Sequence, residues 1–296
     1  MIKSKVNAAI AALLLSLGAA GADAITIQTG DFKMTLDNYD SATTNYGVGP
    51  GVKCTTVATC DLAVAPANKA PGSIGSVNPS SDSMGIFSVT SITSTLTGQP
   101  WFTRGLDGYL TGIFGNLNDH YVESFGTGPT ATTSALASGG TFELFLNSAN
   151  YNITHGPLVT ATKDLNAAMY PSISNGTAQL VLSGIFASGV IFGDSITTFS
   201  GSYNNNSILG GSGGFLDVTG GAWQSLFDTN SQTGLNGEVR DLLTTFTYSR
   251  NAGATANGWT VLSSGDIAGT VPEPGSLALL ALALLGAGAI SRRNKA

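Results

Sequence analysis

Two cysteines, two histidines and a scatter of single carboxylates are the residues of this 296-residue chain whose chemistry could define a site. Cys54 and Cys60 lie six positions apart in a Gly-, Ala-, Pro-, Ser- and Thr-rich stretch. A metal or redox pair usually has tighter spacing and companions, and here there is no third cysteine and no nearby histidine. In an oxidising compartment the two would form a disulfide closing a small ring, worth on the order of 2 kcal/mol by loop entropy. His120 follows Asn116, Asn118 and Asp119, oxygen-bearing side chains that could touch a cation. They lack the Asp-x-Asp-x-Asp-Gly order of a calcium loop and read as a solvated strand entry. His155 stands alone, and no HExxH zinc-hydrolase pattern occurs. Residues 210–214 (GGSGG) match the G-x-S-x-G of a nucleophile elbow, but that motif needs a strand–turn–helix context. Here it runs into Phe215-Leu216-Asp217-Val218, a strand pattern, so the match is accidental. A glycosidase pair need not be close in sequence, and the fold alone could assemble one. No catalytic, cofactor-binding or metal-binding residue is assigned, and binding rather than catalysis is expected.

The elements available to position such residues are strands. No window between residues 25 and 270 holds a 3.6-residue apolar period for three turns. Short β-rich runs bounded by Gly, Pro, Asn and Ser appear instead at 25–28, 32–36, 86–96, 109–114, 121–125 and 141–146. Others follow at 158–162, 179–186, 195–203, 214–218, 243–248 and 259–262. Phe142, Leu144 and Leu146 alternate against Glu143; Phe246 and Tyr248 alternate against Thr245 and Thr247. Such alternation suits antiparallel sheets with one wet face. The prediction is an all-β domain, an antiparallel β-sandwich of jelly-roll type. Residues 40–82 and 126–140 read as long loops, and 222–227 and 162–170 as short helices. No repeat of fixed period supports a solenoid or propeller.

Only 10% of the chain is charged, against 39 glycines and 65 serines and threonines. Residues 25–270 carry seven basic and sixteen acidic side chains, a difference of nine negative charges. That balance opposes nucleic-acid binding, which needs a basic stripe. Both ends stand apart from the body. Residues 1–24 have Lys3 and Lys5, then an apolar run at 8–17, then Ala22-Asp23-Ala24, the order of a signal peptide read by signal peptidase after Ala24. An exported domain makes the disulfide the natural reading of the cysteines. The other end reads Val271-Pro272-Glu273-Pro274, an apolar stretch at 275–290, then a cluster containing Arg292, Arg293 and Lys295. Sixteen helical residues span roughly 24 Å at 1.5 Å each. That is short of the ~30 Å hydrocarbon core, so this single transmembrane helix would cross with some thinning. The basic end stays cytoplasmic and the domain lies outside. The organisation is thus 1–24 signal peptide, 25–270 exported domain and 271–296 tail.

The order of Pro-Glu-Pro, short apolar helix and basic end resembles the PEP-CTERM sorting signal of Gram-negative bacteria that make extracellular polysaccharide. The resemblance implies recognition by an exosortase, which would cut near Pro272–Pro274. The protein would be anchored in the membrane transiently and then reach the cell surface or extracellular matrix. Residues 213–230 (GGFLDVTGGAWQSLFDTN) and 108–120 are similar to segments of extracellular PEP-CTERM proteins, including a flocculation-associated group. What this implies is a structural or adhesive role in biofilm or floc formation through contact with exopolysaccharide. Aromatic platforms such as Tyr109 or Trp101 would stack on sugar rings. Two other functions stay open: a secreted carbohydrate-active enzyme, marked by paired buried carboxylates, and a small-ligand-binding domain, marked by one deep apolar pocket.

Overall fold

Alternating apolar and hydroxyl-bearing residues draw most of the chain into long strands. The structure, a computed structural model, describes residues 25, 27–40, 53–63, 83–152, 170, 172–174, 178–250, 259 and 261–273. The signal peptide with Ala22 and Ala24, the strand at 158–162, the helix at 162–170 apart from Tyr170, and the tail from Pro274 through Arg292 and Arg293 lie outside the described residues. In chain order the elements are β1 (Gly30–Asp40), β2 (Lys53–Cys54), α1 (Val57–Ala63), β3 (Ser83–Ser94) and β4 (Pro100–Thr103). Then come β5 (Tyr109–Phe125), β6 (Thr132–Asn147), β7 (Gln179–Ala187), β8 (Phe199–Asn204) and β9 (Gly210–Gly220). The last are α2 (Gln224–Phe227), β10 (Gln232–Thr233), β11 (Val239–Arg240), β12 (Leu242–Arg250) and β13 (Val261–Val271).

The strands pair antiparallel in the order β5–β3–β1–β13–β12–β9–β7–β6, and β6 pairs back onto β5. The sheet therefore closes into an eight-stranded barrel, not the expected jelly-roll sandwich. Both architectures bury one face of every strand and wet the other, so alternation does not distinguish them. What decides is the long β5–β6 pairing, which runs from Tyr109↔Asn147 to Phe125↔Thr132 and removes both sheet edges. β8 pairs with both β6 and β9 and takes over from β7 at the end of the barrel that holds Asp40, here the upper end.

Glycine within the strands has a packing role. Five phenylalanines lie directly across from a glycine on the neighbouring strand: Phe32↔Gly269, Phe114↔Gly85, Phe87↔Gly112, Phe142↔Gly184 and Phe246↔Gly265. A Cβ on Gly112 would sit 2.3 Å from Phe87 Cζ, and one on Gly265 would sit 2.2 Å from Phe246 Cδ1. Each ring lies over the missing side chain, so that aromatic carbon lines the interior of the barrel.

β5 and β6 change phase at one level. On β5, Leu110 and Phe114 point inward, then Leu117 and Asp119, an odd step made at Asn116, which adopts φ +60°. On β6, Ala135 and Ala137 point inward, then Phe142 and Leu144, with the step at Gly139 and Gly140 (φ +75° and +100°). This is why period-two reading splits β5 into two strands and takes residues 126–140 for a loop. The stretch is a 3-10 turn at Gly128–Thr130 followed by the upper half of β6. Within residues 40–82, β2 and α1 are likewise ordered. The disulfide Cys54–Cys60 forms as expected and clips α1 to β2, which pairs with the upper part of β5.

The lower end is packed solid. Phe227 of α2 is fully buried edge-on to Phe32, their centroids 5.2 Å apart, and stacks on Trp223 at 6.0 Å. Trp101 is buried against Phe32 in the same cluster and offers no exposed platform. The barrel wall is not wet all round, as the one-wet-face expectation required. Met84 and Ile86 of β3, Ile113 and Phe145 pack outside it beneath Tyr170, Ile173 and Trp259.

Candidate functional site

The upper half of the barrel is hollow. A cavity of about 120 Å³ opens above the packed end, with Leu36, Phe87, Phe142, Phe186 and Leu216 among its apolar lining. Phe114, Phe186, Phe199 and Phe246 follow one another round the wall with ring centroids 5.6–6.4 Å apart. The cavity exists because Ala135, Ala137, Gly201 and Ser212 are small where larger inward residues would fill the bore. Tyr203 and Tyr248, 6.5 Å apart, continue the aromatic lining toward the upper end.

Above the phenylalanines the lining becomes polar. β1 alternates inward Phe32, Met34, Leu36, Asn38 and Asp40, so its last two inward positions are an amide and a carboxylate. β5 contributes Asp119, turned inward by the phase change at Asn116. Ser83 Oγ donates to Asp40 at 3.0 Å, and Asn38 Nδ2 donates to Ser263 Oγ at 2.8 Å. Among the described residues lining this space, Asn38 Oδ1 and Thr244 Oγ1 have no hydrogen-bond partner, and their residues are only 4% and 1% exposed. Buried polar atoms are nearly always satisfied, so both oxygens are open to a water or a ligand in this space.

Electrostatics single out Asp119. The residue keeps some accessible surface, but its carboxyl lies deep among protein atoms, and burial pushes its pKa up to about 7, with the Asp40 charge adding to the effect. Burial likewise pushes the Tyr203 and Tyr248 phenols upward, keeping them neutral; Tyr248 donates to the Gly211 carbonyl at 2.9 Å. The site thus joins an aromatic cup to a carboxylate pair, one member of which titrates near neutrality.

The other candidates have structural places. His120 sits at a bulge in β5, where its Nε2 meets Thr197 Oγ1 at 3.0 Å; Thr197 donates onward to Asp194 at 2.6 Å. That arrangement fixes the 194–198 turn. Hydrogen bonds from Thr197 and two backbone N–H groups, opposed by burial and aided by His120, hold the Asp194 carboxyl below its ordinary range. Among the described residues, no three His, Cys, Asp or Glu side chains converge as a metal site. The GGSGG run lies inside β9, so no nucleophile elbow forms. Residues 213–230 hang on Asp241, whose carboxylate is buried and accepts from the backbone N–H of Val218, Thr229 and Asn230 at 2.7–2.8 Å. Arg240 beside it binds Asp217 and Ser188. The residues that the sequence reading missed are Asp40, Asn38, Tyr203, Thr244 and the pairing of Asp40 with Asp119. For β1 a signal was available, since apolar alternation from Phe32 ends in Asn38 and Asp40 on the same face.

Val271 ends β13 opposite Gly30, and Pro272 and Glu273 follow it exposed. Among the described residues no helix is long and apolar enough to cross a membrane. No curated protein and no solved structure matches the chain. One family model does: the PEP-CTERM protein-sorting motif covers residues 270–293, beginning where the barrel's last strand ends. By that motif the chain is a PEP-CTERM protein, exported and sorted to the cell surface with exosortase as its sorting partner.

Proposed function

We propose that this exported protein binds a small molecule with an apolar body in the upper half of its barrel. The observation that carries this is the 120 Å³ cavity ringed by Phe87, Phe114, Phe142, Phe186, Phe199 and Phe246. An apolar cavity of ~150 Å³ takes up benzene in a well-studied engineered protein, so this one matches a single ring. Toluene, titrated by calorimetry into the 25–270 domain, should bind the wild type and fail to bind Ala137→Leu, which fills the bore. Absence of toluene binding to a folded wild-type domain refutes the reading.

A structural or adhesive role on exopolysaccharide, in biofilm or floc formation, is the second reading. It is supported by the sorting motif and by hydroxyls such as Thr35, Thr93, Thr247 and Ser264 on the outer strand faces. The Asp40–Asp119 pair favours glycoside hydrolysis in one respect, since paired carboxylates are its hallmark. Against hydrolysis, a single-ring cavity cannot seat the two sugars that flank a scissile bond. Incubation of the domain with isolated polysaccharide separates the three. Co-sedimentation without polymer shortening supports adhesion, shortening supports hydrolysis, and neither leaves ligand binding.

A further inference from the structure

We infer that the packed lower end of the barrel is a membrane-facing surface. While the tail anchors the protein, that end rests on the lipid headgroups and the hollow end points away from them. This rests on residues 275–290 entering a bilayer, as their apolar length and basic end imply, and not on what the cavity binds. β13 ends at Val271, which pairs with Gly30 at the lower end and is only 2% exposed, so the fold holds the chain up to that residue. Only Pro272-Glu273-Pro274 separates it from the apolar stretch. The Cα steps from Val271 to Gly275 reach at most about 14 Å, and the prolines stiffen them. A headgroup layer takes up about 5–8 Å of that distance. The eleven residues of β13 run roughly 36 Å, or about 25–30 Å along the axis of a barrel whose strands tilt by about 35–45°. The tether is therefore too short for the upper end to be the one that meets the bilayer.

The side chains at that end suit a lipid interface. The β3–β4 turn projects past the paired strands: Thr95 N–H donates to the Asp31 carbonyl, and Leu96 beyond it is 90% exposed. Across the floor, α2 buries Phe227 but leaves Leu226 exposed and Trp223 partly so. Exposed leucines gain apolar contact at a headgroup boundary, and the amphipathic ring of tryptophan is favoured there. Neither the 95–99 turn nor α2 carries a lysine or arginine, and Asp31, Asp228 and Glu273 lie at the same end. The contact is thus apolar and held by the tail, not electrostatic. The wall beside the tail differs in kind. β1, β13 and β12 present the Lys33–Asp266 ion pair there, with Thr35, Thr247 and Ser264 around it. Laying the barrel on that side would press charges and hydroxyls against lipid, which costs free energy. An end-on stance leaves the hollow half open to the aqueous side, both before and after release of the tail.

The test uses the full chain in phosphatidylcholine vesicles that carry nitroxide-labelled lipid. One cysteine is added at a time, by Leu96→Cys at the lower tip, Thr247→Cys on the side wall or Leu209→Cys in the upper β8–β9 turn; all three positions are exposed. Cys54 and Cys60 are bonded to each other, so only the added thiol takes an environment-sensitive dye. The dye at 96 should lose fluorescence to the nitroxide, and the dyes at 247 and 209 should not. Salt should leave that pattern unchanged, since no charge pair holds the contact. Strongest quenching at 247 indicates a barrel lying on its side, and strongest quenching at 209 an inverted one; either overturns the inference. It is equally overturned if the full chain fails to float with the vesicles, or floats with no quenching at any of the three positions. Toluene binding in the cavity is independent of all these outcomes, so the two proposals fail separately.

Discussion

Replacing Asp119 with Asn tests whether a buried acid shapes the stability of the barrel. In the folded protein its pKa stands at about 7, against an ordinary 3.8. Below the ordinary value the carboxyl is protonated in both states and contributes nothing. As pH rises towards 7 the unfolded chain ionises while the folded one resists, so folding loses free energy until both are charged. With one pKa unit equal to about 1.4 kcal/mol, the full penalty is roughly 4 kcal/mol above pH 7, of which about 1.5 has accrued by pH 5. Relaxation around the Asp40–Asp119 pair makes these figures upper bounds. Urea unfolding of wild type and Asp119→Asn at about pH 5 and about pH 8.5 reads the difference directly. The variant should gain on the wild type by about 1–2.5 kcal/mol more at the higher pH. An unchanged difference between the two conditions would refute the claim that this acid is buried and costly to ionise.

Other perturbations examine other parts of the molecule. Changing Cys54 and Cys60 together to Ser should lower stability by about 2 kcal/mol in denaturant melts and leave the circular dichroism of the barrel intact. Gly112→Ala, whose Cβ would sit 2.3 Å from Phe87 Cζ and 2.5 Å from the Glu143 carbonyl, should cost about 2–4 kcal/mol in the same assay. Asp241→Ala leaves three backbone N–H groups without their acceptor and should cost about 3 kcal/mol or more, with amide exchange quickening first at Thr229 and Asn230. For sorting, N-terminal sequencing of the secreted protein should start at Ile25, and intact mass should show residues 275–296 lost only in a host with active exosortase. Retention of the tail in hosts with and without the enzyme contradicts cleavage there.

Sequence and tertiary structure account for different properties of this protein. The sorting motif at 270–293 was legible because a peptide-recognising enzyme reads a linear order: Pro272-Glu273-Pro274, an apolar stretch and basic residues. All-β character was legible as well, since alternation such as Phe246 and Tyr248 against Thr245 and Thr247 is a local property of a strand; the two threonines are exposed and the two aromatics face the bore. The Cys54–Cys60 bond needed only proximity in sequence and a plausible compartment. Barrel closure was not legible, because it depends on whether β5 and β6 pair along their whole length. Nor was the inward turn of Asp119, which depends on the left-handed conformation of Asn116 and the matching step at Gly139 and Gly140. Asp40 and Asp119 lie 79 positions apart and on different strands, and nothing in either local pattern announces the other. Only the closed barrel brings the two carboxylates over one aromatic cup, because side-chain direction alternates locally while the identity of the facing strand is set by long-range pairing.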